Sequence, residues 1–150
     1  MRRAVRAIVI KNNHILVMHR NKFGREFYAL VGGGIDYGEN QMQALERELS
    51  EEASLIVTNP KLVIVEDAGD VFGVQYIYTC DWVSGEPALS PTSEEALIHE
   101  SGKNLYTPMW LPLSDLAETK LLPSELHQLL VQHAAAKSWP AEPIELTIAS

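Results

Sequence analysis

Cysteine is almost absent from this 150-residue chain: Cys80 stands alone, so no disulfide can close within it. Basic residues are also few. Twelve Lys and Arg against twenty Asp and Glu leave a formal charge of −8, which argues against tight, charge-driven binding to duplex nucleic acid. An anionic partner then needs a local positive centre, such as a metal ion. Long apolar runs are missing as well. Met1-Arg2-Arg3 leads into a brief apolar stretch that ends at Lys11-Asn12-Asn13, with no signal peptide and no membrane span, so a cytoplasmic protein is expected. Internal repeats and low-complexity tracts are absent too. What the chain does have is 46% hydrophobic residues, enough for one compact domain over residues 1–150.

Residues 5–10 and 15–18 are β-branched or apolar runs separated by Lys11-Asn12-Asn13-His14, and Asn tolerates the positive φ of tight hairpin turns, so a β-hairpin is predicted. Residues 20–27 are polar and read as a loop. A short strand over residues 28–31 then runs into Gly32-Gly33-Gly34, backbone that must bend freely or lie close to something. Residues 40–53 contain no Gly or Pro, and Met42, Leu45 and Leu49 recur at helical spacing, which predicts a helix with one stripe on a core. Strands are expected at 62–65, 74–83 and 106–111. Between the last two lies a long polar stretch, 84–104, of the kind that is functional or disordered in compact domains. A helical turn at 112–117 and a terminal helix at 123–137 complete the reading, with a loosely held tail from 138 in which 144–148 can add an edge strand.

The chemistry concentrates between Gly33 and Leu55. On a helix, Glu48, Glu51 and Glu52 stand at i, i+3 and i+4, so their carboxylates project from one face and repel one another. Alone, such a face is more often a solvated surface than a site; with a cation among the oxygens it is a site for a hard ion such as Mg²⁺ or Mn²⁺.

The surrounding residues decide between these. Gly33-Gly34-Ile35-Asp36-Tyr37-Gly38-Glu39, then seven residues, then Arg47-Glu48-Leu49-Ser50-Glu51-Glu52-Ala53-Ser54-Leu55 closely resembles the Nudix box: Gly, five residues, Glu, seven residues, Arg-Glu, an aliphatic, any residue, Glu-Glu, any residue, Gly and an aliphatic. Every specified position matches except the last glycine, here Ser54. At a background frequency near 6% for each of six matching Gly, Glu and Arg positions, the chance of this match arising in the chain is on the order of 10⁻⁵. Residues 28–33 resemble the family's aromatic-x-Leu-Pro-Gly-Gly entry with Val31 in place of proline, and residues 110–116 resemble the strand and helix start near the family's carboxyl end.

The resemblance implies an α/β fold, an α/β/α sandwich around a mixed β-sheet. It also implies Mg²⁺-dependent hydrolysis, with Mn²⁺ as the alternative ion, of the diphosphate bond in a small nucleotide-like substrate. By position, Glu48, Glu51 and Glu52 would be metal carboxylates, one of them serving also as base. Arg47 would orient them by charge-assisted hydrogen bonds, one of which reaches Glu39. Gly32, Gly33, Gly34 and Gly38 would admit the substrate to close approach, with Tyr37 beside them as an aromatic face. Some relatives recruit one more carboxylate from a distant loop, and Glu94 and Glu95 are placed for that role. At Ser54 the family's glycine would end the helix in a left-handed conformation, where a Cβ costs about 1 kcal/mol; Ser54 either accepts that cost or ends the helix differently.

Other readings are weaker. A Nudix-fold module that binds a nucleotide without cutting it would be expected to lose those glutamates. An isoprenoid diphosphate isomerase would need a catalytic cysteine, and Cys80 has no matching surround. The glycine run is no Walker A loop, because no Gly-Lys-Ser/Thr follows it, and the histidines share no ligand spacing. Motifs that accompany NADH and coenzyme A substrates are absent, which favours a nucleoside triphosphate or modified nucleotide. A homodimer is the expected assembly, on the ground that symmetric dimers are the commonest.

Overall fold

The computed structural model describes residues 2–148. The chain opens with β1 (Arg3–Lys11) and β2 (His14–Lys22), an antiparallel hairpin whose two turn residues, Asn12 and Asn13, both have positive φ (51° and 60°). That is the turn geometry whose twist matches the flanking strands, and asparagine is among the few residues that accept it. The polar stretch 20–27, expected to be a loop, is instead a second hairpin: β2 runs on to Lys22, turns at Phe23-Gly24 and returns as β3 (Arg25–Ala29). Its residues are exposed or half-buried, so no alternation of apolar side chains marks it.

The strand expected at 28–31 is broken at Leu30. Up to Ala29 the chain pairs with β2; from Val31 it pairs with β1 as β4 (Val31–Gly34). The glycines are therefore extended backbone in a sheet, and their use is close approach. A Cβ on Gly32 would lie 2.0 Å from the Val5 carbonyl oxygen.

Helix α1 (Gln41–Ala53) begins with a reciprocal cap: the Asn40 side chain accepts from the Gln43 N–H at 2.8 Å, and the Gln43 side chain accepts from the Asn40 N–H at 2.9 Å. Its inner stripe is Ala44, Leu45, Leu49 and Ala53. After it come β5 (Ile56–Asp67), a single helical turn α2 (Gly69–Phe72) and β6 (Val74–Ser84). β5 extends six residues earlier than expected. The Asn59-Pro60 pair falls at an irregularity in its pairing with β6, where a missing N–H is tolerated. The polar stretch holds α3 (Glu94–His99), capped by Ser93. β7 (Asn104–Pro112), a 3-10 turn (Leu113–Glu118), α4 (Ser124–His133) and β8 (Ile144–Thr147) follow; β8 pairs in parallel with β5.

The strands form an eight-stranded mixed sheet in the order β3-β2-β1-β6-β5-β8, with β4 on β1 and β7 on β2. Alternate residues feed two cores. Val5, Ala7, Val9, Leu16 and Met18 pack beneath α1, while Ile8, Ile15, Val17 and Ile77 pack beneath the 3-10 turn and α4. The result is the α/β/α layering expected from the sequence. Cys80 lies in the first core, where burial pushes its thiol up to about 12.

Ser54 ends α1 in the left-handed conformation (φ 56°, ψ 34°), and the Leu55 N–H folds back to the Leu49 carbonyl at 3.2 Å. The serine side chain is used as well: its hydroxyl donates to the Ala88 carbonyl at 2.7 Å. Nearby, the N–H groups of Ala88 and Ser90 donate to the carbonyls of Ala53 (3.1 Å) and Glu51 (2.8 Å). Ser54→Gly should relieve about 1 kcal/mol of left-handed strain and lose one hydrogen bond of similar worth, leaving stability within about 1 kcal/mol of wild type. Ser54→Ala loses the bond and keeps the strain, so it should be the less stable of the two by about 1 kcal/mol. Urea melts of the three proteins rank them; an alanine variant as stable as the glycine variant would mean that neither effect operates.

Candidate functional site

The i, i+4 spacing of Glu48 and Glu52 puts both on the edge of the buried stripe of α1, where only 6% and 7% of their surface is exposed. Glu95 arrives from α3. One carboxylate oxygen from each of the three lies within 4.8 Å of the others. The Glu52 carboxylate accepts the Gly32 N–H at 3.1 Å, and Gly33 has no Cβ because one there would stand 2.6 Å from Glu48 Oε1. The glycine run thus lets strand backbone touch the acidic cluster directly.

Arg47 organises the rim. Its guanidinium donates twice to Glu39, from Nε at 2.7 Å and from Nη2 at 3.0 Å, and Nη2 also reaches the Gly34 carbonyl at 3.0 Å. Nη1 donates to Glu48 at 2.9 Å and to Glu51 at 3.3 Å. Glu39 in turn accepts the Asp36 N–H at 2.8 Å. A rigid fork with five donors suits this task as a lysine would not. The hydrogen bond from Arg47, followed by that from Asp36, holds the Glu39 carboxyl below its usual range, and the same contact with Glu39 raises Arg47 so that it stays charged.

The cluster is costly as it stands. Burial first and repulsion from Glu48 second push Glu52 up to about 8, against the pull of Arg6 and of the Gly32 N–H. Glu48 is also raised, chiefly by burial, with Arg47 opposing. Glu48 Oε2 and Glu95 Oε2 are buried with no hydrogen-bond partner among the described residues. Native proteins rarely leave such oxygens unsatisfied. All-oxygen donors, crowded, anionic and partly unsatisfied, fit a hard divalent cation.

These groups line a cavity of about 610 Å³. Glu51 lines it too, outside the three-carboxylate group, with its side chain 42% exposed. Glu94 lies on the rim, and Gly32, Gly33 and Gly34 form part of the floor. Gly38 and Tyr37 do not line the cavity: Gly38 serves the turn before α1 (φ 85°), and the Tyr37 ring is fully exposed. The sequence reading missed the basic side of the cavity, formed by Arg2, Arg6 and Arg20 with Tyr106. Arg6 had a visible signal, a charge inside an otherwise apolar strand. It is half-buried, loss of solvent lowers its pKa, and it donates to the carbonyls of Leu30 (3.1 Å) and Gly32 (3.2 Å) and to Gln75 Oε1 (3.2 Å). Arg20 had none, because its neighbours in space come from distant segments.

The raised carboxyls fix a pH dependence. In the unfolded chain Glu ionises near about 4.3, whereas folded Glu52 holds its proton up to about 8 and Glu66, raised mainly by burial, up to about 7. The metal-free fold therefore binds more protons than the unfolded chain across that window. Its stability should fall as pH rises from about 5 to about 8, by a few kcal/mol. A divalent cation competes with those protons, so its stabilising shift should be larger at about pH 8 than at about pH 6. Thermal melts with chelator or added cation test this; a cation shift independent of pH would place the ion away from Glu52.

Comparison with known proteins came to the same place. A segment of 56 residues, 37% of the chain, is 43% identical to an RNA pyrophosphohydrolase of Vibrio atlanticus (strain LGP32) and spans 33% of that protein. Among solved structures, a NUDIX hydrolase from Nitrosomonas europaea superposes with a TM-score of 0.70 at 16% identity, covering 99% of this chain and 79% of that one. An ADP-ribose pyrophosphatase from Streptococcus suis superposes at 0.67 and 18%, covering 98% of each. Similar folds thus carry different substrate names. The NUDIX domain model matches residues 1–136, from β1 to the end of α4, and with the box geometry above it shows that the chain belongs to the Nudix family.

Proposed function

We propose that this chain hydrolyses the diphosphate bond of a nucleotide, foremost a nucleoside triphosphate or a modified nucleotide, with Mg²⁺ as its metal and Mn²⁺ as the substitute. The observation that carries the reading is the cluster of Glu48, Glu52 and Glu95, with two orphaned buried oxygens, opening on a cavity that Arg2, Arg6, Arg20 and Arg47 also line. A wholly acidic cavity would repel a polyphosphate, and a wholly basic one would hold no divalent ion. This one has both signs.

When bound among Glu48, Glu52 and Glu95, with Glu51 at the rim, Mg²⁺ supplies neutralisation of phosphate charge and a lowered pKa for a coordinated water. The chain's own residues do the remainder. Arg47 holds Glu48 and Glu51 in place by hydrogen bonds, itself braced by its bond to Glu39. Gly32 to Gly34 let the phosphates approach backbone without a Cβ between them. Arg2, Arg6 and Arg20 offset the charge that accumulates on phosphoryl oxygens as the bond breaks. One of Glu48, Glu51 and Glu52 takes the proton of the attacking water. A purely ligand-binding role would not require this crowding of carboxylates. The Vibrio relative's name adds triphosphate-ended RNA to the candidates, since its 5′ end carries the same bond.

Incubation with Mg²⁺ and a panel of nucleotides, ADP-ribose and triphosphate-ended RNA, followed by phosphorus NMR, should show new phosphate species from at least one member. No product from any of them overturns the reading. Glu51→Gln and Glu52→Gln should each lower kcat by at least about 100-fold, because each removes a charge from the metal surroundings. Glu52→Gln should also raise the melting temperature of the metal-free protein, since it removes the most strained carboxylate. Full activity in both variants would rule out the metal assignment.

A further inference from the structure

Glu95 is the member of the carboxylate cluster that α1 does not supply, and apolar burial does not hold it there. Its helix, α3, has no buried residue, and Leu97 is 63% exposed. Six residues are also too few for a helix to be stable by itself. The place of α3 therefore depends on polar contacts at its two ends.

At the start, Ser93 is buried and bonded twice: its Oγ accepts the Ala96 N–H at 3.1 Å and donates to the Ser90 carbonyl at 2.8 Å. These bonds fix where the helix begins and leave it free to roll about its own axis. A roll would carry Glu95 away from Glu48 and Glu52.

The other end removes that freedom. Nδ1 of His99 accepts the Tyr106 N–H of β7 at 3.0 Å, among the described residues the one hydrogen bond between α3 and β7. His99 follows Glu95 by four residues, so both project from one face of the helix, and a bond that fixes the first fixes the roll of the second. β7 pairs with β2, and this N–H turns instead to α3. Because a backbone N–H can only donate, Nδ1 must keep its lone pair and the ring carries its proton on Nε2. Tyr106 also lines the cavity, so the bond joins the cavity wall to the helix that brings Glu95.

We infer that His99 is a positioning residue: by accepting the Tyr106 N–H it docks α3 on β7 and holds Glu95 in the carboxylate cluster. This rests on the reading of Glu95 as a metal carboxylate. His99 touches neither metal nor substrate; it acts through Glu95 alone.

The test titrates Mn²⁺ alone into wild type, His99→Leu, His99→Asn, Glu95→Gln and the double variant His99→Leu with Glu95→Gln, reading the free ion by electron paramagnetic resonance. Glu95→Gln should weaken binding about tenfold and His99→Leu at least about threefold. His99→Asn should bind as wild type does, because the asparagine oxygen is as many bonds from the backbone as Nδ1 is. In the Glu95→Gln background, His99→Leu should cost nothing further. Melting curves show which variants fold. Should the leucine variant not fold, His99→Gln, whose oxygen lies one bond farther out, takes its place in the cycle. Wild-type affinity in His99→Leu, an equal loss in both backgrounds, or no rescue by asparagine overturns the proposal. Unchanged affinity in Glu95→Gln alone is instead a failure of the metal reading. Hydrogen exchange at the Tyr106 amide reads the docking without any ion: it should be faster in His99→Leu than in wild type or His99→Asn, and equal rates in all three overturn the docking.

Discussion

Mutual repulsion of carboxylates in a place shielded from water is the constraint around which this molecule is arranged. Glu48, Glu52 and Glu95 bring like charges within 4.8 Å, in a region where two of the three are almost fully buried. At that separation, and with an effective dielectric near that of a protein surface, each pair costs on the order of a few kcal/mol when ionised. A fold of ordinary stability carries such a penalty only if the scaffold is stiff and a counter-charge is near. Both are visible: a helix anchored by a reciprocal cap at one end and by loop hydrogen bonds at the other, and a guanidinium that bonds to Glu39 and Glu48 together.

The sheet converts that helix into a site. β4 crosses from one pairing partner to the other at Leu30, which carries the glycines under α1 and presents the Gly32 N–H to Glu52. The same crossing aligns Arg6 with Gly32, so a half-buried cation lies beside Glu52 and donates to the carbonyls of Leu30 and Gly32. Strands β1, β2 and β7 add Arg6, Arg20 and Tyr106 to the lining of the cavity. The glutamates of the cavity come from the helices, and two of its arginines, Arg6 and Arg20, from the strands.

This division also explains how much was legible in the amino-acid sequence. α1, its apolar stripe and its glutamates follow from local spacing, because neighbours on a helix are three and four residues apart. The Asn12-Asn13 hairpin is legible for the same reason. The β2–β3 hairpin was read as a loop, since its residues face solvent or the cavity and the apolar alternation that marks a strand never develops. Burial of Glu48 and Glu52 was not foreseen: three charges on a helix face look like a solvated surface until the glycine strand is placed over them. Tyr37, inside the box in sequence, lies away from the cavity, while Tyr106, nearly seventy residues on, lines it. Glu95 could be named only as one of a pair, because a helix of six residues in a long polar stretch has too little periodicity to orient.

The bonds that tie residues 85–90 to the end of α1 have a consequence for how such a protein can diverge. Exposed connections normally tolerate insertion and deletion. This one is a ruler: Ser54, Ala53 and Glu51 fix where it begins, and Glu95 must arrive a set number of residues later. Changing its length by one residue would turn α3 and carry a carboxylate out of the cluster. Variation in length is thereby pushed to the turn at Phe23-Gly24 and to the segment between α3 and β7, where Phe23 and Lys103 share a single backbone bond and the register of Glu95 is not at stake.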